Sequence, residues 1–161
     1  MENTVFFTMN DFQKEGGGTI RMLGIINELA KIKENIVLIS NITDRTKVHP
    51  KVRHIALDYV ASREEKRKIQ FRLGLFGSKK LNLESSDLLE KLRIAFTKVN
   101  SNSIFIFFEY LDNSIGYWLK MNKLIKGYTN DIHGIASNEF SFQAKKATSL
   151  LETILFRMNK V

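Results

Sequence analysis

Ile36–Ile39 is four apolar residues with no polar interruption, and that run limits the fold more than any other stretch of the chain. A strand with one wet face alternates apolar and polar residues, whereas an unbroken run suits a strand covered on both faces, as in a parallel sheet. Ile104–Phe108 is the strongest strand signal of all, and Val5–Met9 is a third, starting almost at the first residue. Helix-period segments lie between the runs. Thr19–Lys33 carries Ile20, Leu23, Ile26 and Ala30 at helical spacing, with Asn35 placed to close it. Asp87 is placed to cap a helix bearing Leu88, Leu92, Ala95 and Val99, with Glu90 in its first turn. Asn113–Lys123 is a short helix, ended before Gly127. His54–Val60 and Tyr128–Ile132 complete the strands, and from Asn138 the residues Phe140, Ala144, Ala147, Leu151, Ile154 and Met158 form the apolar stripe of a long helix. Strands alternating with helices predict an α/β, Rossmann-like parallel sheet of about five strands with helices on both faces. The expected organisation is a single domain over 1–161.

Bulk properties narrow the function classes. The 161 residues are 43% hydrophobic and 26% charged, an ordinary globular composition. No apolar run approaches the roughly 20 residues of a membrane-spanning helix, and the amino-terminal stretch lacks the pattern of a secretory leader. With no cysteine there is neither disulfide nor thiolate chemistry. A cytoplasmic location is the expectation. The net charge of +8 favours an anionic partner: nucleic acid, an anionic bilayer surface or a phosphorylated small molecule.

Three places can carry chemistry. Gly16, Gly17 and Gly18, followed by Thr19, sit between the first strand and the first helix, where backbone can approach a ligand and unpaired N–H groups face an anion. Their spacing matches neither the dinucleotide fingerprint nor a Walker A loop, and a plain surface turn is the competing reading. Asp131, His133 and Gly134 lie where the last strand ends, and Glu109 and Tyr110 follow the strongest strand. Ligands of open α/β sheets gather beyond the carboxyl ends of strands. A structural strand-end histidine, and a Glu109 that merely begins a polar loop, remain open. His49 and His54 look like surface or strand residues, and no cluster has metal-ligand spacing, so no metal is expected. Finally, Arg63–Lys80 interleaves Lys66, Arg67, Lys68 and Arg72 with Phe71 and Phe76, as a segment lying on an anionic membrane would. A solvated helix face is the alternative.

In order, these pieces resemble the N-terminal domain of GT4-like GT-B glycosyltransferases. The resemblance lies in EGGGTIRMLGIINELAKIKENIVLIS after a short strand, in IFIFFEYLDNSIGYWLKMNKL, and in YTNDIHGIASNEF with Glu139 after the Asp-x-His-Gly element. It spans nearly the whole chain, although residues 44–100 add little. It implies a hexosyltransferase-like enzyme of glycan or polysaccharide synthesis, taking a nucleotide-sugar donor and a glycan or lipid-linked acceptor. Gly16–Thr19 would approach the donor diphosphate and His133 would face the transferred sugar as the catalytic residue. Glu109, Tyr110, Asp131, Gly134 and Glu139 would hold substrate, with no metal or other cofactor. It also implies a place at the inner face of the membrane. The C-terminal, donor-binding domain of the family has no counterpart in this sequence, so the chain is expected to be inactive without a second domain or subunit. A non-catalytic binding or assembly module, using its basic face on a membrane, is the alternative. A nucleic-acid partner is disfavoured because the basic residues are spread and no recognised motif is present.

Overall fold

The protein is seen in a computed structural model that describes residues 2–10, 12, 17–41, 44–59, 62, 64 and 87–131. Strand β1 is Thr4–Phe7, helix α1 Gly17–Ile32 and strand β2 Ile36–Ser40. After a 3-10 turn at Arg45–Lys47 come β3 (Arg53–Ala56), α2 (Asp87–Thr97), β4 (Ile104–Phe107), α3 (Tyr110–Met121) and β5 (Thr129–Asn130). The five strands form one sheet in the order β3-β2-β1-β4-β5, and every pairing is parallel. Thr4 is level with both Ile36 and Ile104, and Phe7 with Ile39 and Phe107, so the carboxyl ends of the three central strands finish together. The chain is therefore an α/β domain of Rossmann-like type.

Period-two alternation divides the sheet between two cores. Val5, Phe7, Val37, Ile39, Phe105 and Phe107 face α2 and α3, against Leu88, Leu92, Phe96, Ile115 and Trp118. Phe6, Ile36 and Leu38 face α1, against Met22, Leu23, Ile26 and Ala30. Among the described residues one helix lies on one face and two on the other, as right-handed crossovers require when the first runs from β1 to β2 and the later ones run the opposite way. The Phe7 and Phe107 rings lie 5.1 Å apart and each packs on Phe96, so the centre of the sheet is clamped by aromatic contacts.

The boundaries differ from expectation where capping decides them. Helix α3 begins at Tyr110 rather than Asn113, because Glu109 serves as its N-cap and the Asp112 carboxylate accepts the Glu109 backbone N–H at 3.3 Å. Glu109 thus opens a helix and not a polar loop. Helix α1 ends at Ile32, three residues before Asn35, which was expected to close it; Asn35, in the left-handed region at φ 63°, instead stands directly before β2. The buried stripe of α1 is Thr19, Met22, Leu23, Ile26 and Ala30, whereas Ile20 and Ile32 point to solvent at 64% and 84% exposure. Strand β3 ends at Ala56, short of Val60, and β5 keeps two residues of the expected Tyr128–Ile132. The long helix expected from Asn138 lies outside the described residues.

Candidate functional site

The strand order reverses between β1 and β4: the chain moves outward to β2 and β3 on one side, then to β5 on the other. At such a switch point the loops leave adjacent strands in opposite directions and open a crevice beyond the carboxyl ends. Four segments meet there. Thr8, Met9 and Asn10 continue β1, Gly17–Thr19 start α1, Glu109 links β4 to α3, and Asp131 follows β5.

The crevice is held by acidic groups. Asp112, completely buried, accepts the Met9 N–H at 2.9 Å through one carboxylate oxygen and the Glu109 N–H through the other, tying the end of β1 to the start of α3. Burial raises its pKa from 3.8 to about 7, offset in part by these backbone hydrogen bonds and by one from Thr8. The Glu109 carboxylate lies against the first turn of α1, where a Cβ added to Gly18 would sit 3.4 Å from its Oε1. Asn10 approaches the same oxygen at 3.5 Å through its amide. A carboxylate at a helix N-terminus is electrostatically favoured, so Glu109 occupies the field that an incoming anion would seek.

Arg21 closes one side. Its two terminal nitrogens meet the two oxygens of Asp131 at 2.7 and 2.9 Å, a bidentate pair joining α1 to the end of β5. The hydrogen bonds to Asp131 raise the guanidinium pKa, and the Glu109 charge acts in the same direction. The pair is partly exposed, so it orients the crevice rim more than it stabilises the fold.

Of the residues singled out from sequence, Gly17, Gly18, Thr19, Glu109 and Asp131 converge on this crevice, and Tyr110 supplies the first residue of α3 beside it. Gly16, His133, Gly134, Glu139, Lys66, Arg67, Lys68, Phe71, Arg72 and Phe76 lie outside the described residues. His54 is half-buried in β3 against the Ser40 carbonyl and hydroxyl, and burial lowers its pKa. Among the described residues no group of three or more His, Asp or Glu could hold a metal ion, and no helix is long and apolar enough to cross a membrane. Sequence reasoning missed Asn10, Arg21 and Asp112. The spacing of Asp112, three residues after Glu109, was the available signal, since an acidic residue at that offset is the second half of a capping box.

Comparison of the chain with protein-family models, with curated proteins and with solved structures finds no match.

Proposed function

We propose that the chain is the acceptor-side half of a sugar transferase of GT-B type, working at the crevice between β1 and β4. The observation that carries this reading is the convergence of the α1 start at Gly17 and Gly18, which is helical and not the loop expected there, with a carboxylate and an arginine–carboxylate pair on the switch point of an all-parallel sheet. The family assignment itself rests on the order of the sequence motifs. In this reading the backbone N–H groups of Gly17 and Gly18 face the donor diphosphate and stabilise the charge that grows on it as the sugar departs. Glu109 and Asp131 are hydrogen-bond acceptors suited to the hydroxyls of a glycan acceptor. His133 follows Asp131 by two residues and is assigned to the sugar being transferred. A second domain supplies the grip on the nucleotide.

Sugar transfer tests this directly. The chain joined to, or mixed with, a donor-binding domain transfers a labelled sugar from a nucleotide-sugar panel, and the chain alone does not. His133→Ala in the assembled enzyme lowers kcat by about a hundredfold or more while circular dichroism is unchanged. Transfer at full rate by that variant removes His133 from the chemistry.

The net charge of +8 favours one other reading, a non-catalytic assembly module on an anionic membrane. Binding to anionic vesicles that survives His133→Ala and is lost on neutralising Lys66, Arg67 and Lys68 together supports it.

A further inference from the structure

The loop between β2 and β3 returns along the α1 side of the sheet. It carries Arg45, Lys47, His49 and Lys51, with Arg53 opening β3 beside them, against a single carboxylate, Asp44. That carboxylate is committed to its own turn: it accepts the Thr46 N–H at 3.0 Å and the Thr46 hydroxyl at 2.5 Å, and these bonds hold its pKa below the usual range. Arg45, Lys51 and Arg53 are exposed.

The loop is also built to hold a shape. Asn27, from the middle of α1, donates to the Lys47 carbonyl at 2.9 Å and accepts the His49 N–H at 2.8 Å, so one side chain pins both sides of Val48. Val48 and Val52 are buried in the α1 core, and Pro50 fixes the backbone between them. The Lys51 N–H donates to His49 Nδ1 at 3.3 Å, which leaves Nε2 as the ring atom that carries a proton to donate. Between these groups lies a cavity of about 380 Å³ lined by Arg45, Thr46, Val48, His49, Pro50 and Val52.

From this arrangement we infer a binding site for a small phosphomonoester, with Arg45 and His49 on the phosphate and Val48, Pro50 and Val52 against its carbon body. A guanidinium presents a planar fork that matches phosphate oxygens, and an imidazole N–H adds a third donor. The valine and proline side chains offer no hydrogen bonds, so they suit the apolar part of a ligand and not a second charge. The volume is at the lower end of the range for small-molecule pockets, which fits a compact ligand and not a polymer track. The site sits on the β2–β3 loop and is independent of the reading given to the crevice between β1 and β4.

Phenyl phosphate is a suitable probe, titrated into the full chain and followed by calorimetry and by amide chemical shifts. One saturable site is expected, with shifts centred on Thr46, Val48, His49 and Lys51, and with weaker binding of inorganic phosphate. Arg45→Gln weakens binding by about tenfold or more. Lys120→Gln removes the same charge from an exposed position on α3 and leaves affinity within about twofold. Equal losses in the two variants would show diffuse attraction to a basic protein and overturn the site. Shifts that do not saturate, or that centre elsewhere, overturn it as well. Equal affinity for inorganic and phenyl phosphate overturns the role given to the apolar floor. A single-stranded oligonucleotide binding more tightly than phenyl phosphate at the same amides replaces the small-molecule ligand with nucleic acid.

Discussion

Asp112 makes the stability of this protein depend on pH in an unusual direction. Its carboxyl is completely buried and its pKa rises from 3.8 to about 7 on folding. The folded state therefore holds the proton more tightly than the unfolded chain. The group contributes fully below about pH 4, and its contribution is lost as pH rises through 7. A shift of about three units at 1.36 kcal/mol each corresponds to about 4 kcal/mol between the two ends of that window. Asp112→Asn removes the titration but offers one acceptor where two backbone N–H groups are bonded, those of Met9 and Glu109. The orphaned donor costs about 1–2 kcal/mol at every pH. Below pH 4 the variant should be the less stable protein by that amount, and above pH 8 the more stable by about 2–3 kcal/mol, with the curves crossing near pH 5. The difference between the two proteins is the quantity to follow, because His54 works the other way. Burial depresses its pKa below 6.5, so its contribution is present above that value and is lost as pH falls. Urea unfolding of both proteins from pH 4 to 8 is the assay. Parallel curves across that range would mean that Asp112 stays ionised when buried and has no raised pKa.

Three further outcomes follow from the packing. Gly116→Ala places a methyl 2.7 Å from the Tyr128 ring, between α3 and the residue leading into β5, and should cost about 1–3 kcal/mol by thermal unfolding. Asn27→Ala releases both hydrogen bonds to the β2–β3 loop and should destabilise the protein by about 1–3 kcal/mol in urea, while amide exchange speeds up around Lys47–His49. Gly17→Ala adds a Cβ with nothing within 4 Å, so the melting temperature should hold or rise, and a drop in sugar transfer by the assembled enzyme would then report backbone approach to the donor.

Ile36–Ile39 announced a buried strand because both of its faces are covered, and Ile104–Phe108 did so through Phe105 and Phe107 on one face while Ile104 stays exposed; the alternation with helices was enough for a parallel sheet. The edge strands were harder to delimit. β3 has one fully buried residue and β5 has only two residues, so neither carries a long apolar signal. The α1 pattern was over-supplied with isoleucine, and only geometry showed that Met22 and Ile26 face the core while Ile20 and Ile32 do not. At the crevice, Glu109 and Asp131 were legible because each follows a strand end, and Gly17 and Gly18 because glycines stand where the first helix starts. Arg21 was not, since its role comes from a partner 110 positions away. Asp112 was passed over because a carboxylate in a helix looks like a solvated residue until its two backbone donors are seen.

In the proposed function the crevice between β1 and β4 receives the diphosphate of a nucleotide sugar, and titrating the isotope-labelled chain with uridine diphosphate while following its amide shifts probes that contact. Weak, saturable shifts clustered at Gly17, Gly18, Thr19 and Asp131 are expected, strengthened in Glu109→Gln because its carboxylate then no longer competes for the start of α1. Unmoved amides at these four positions up to the solubility limit, or shifts gathered at the amino ends of the strands, would contradict it.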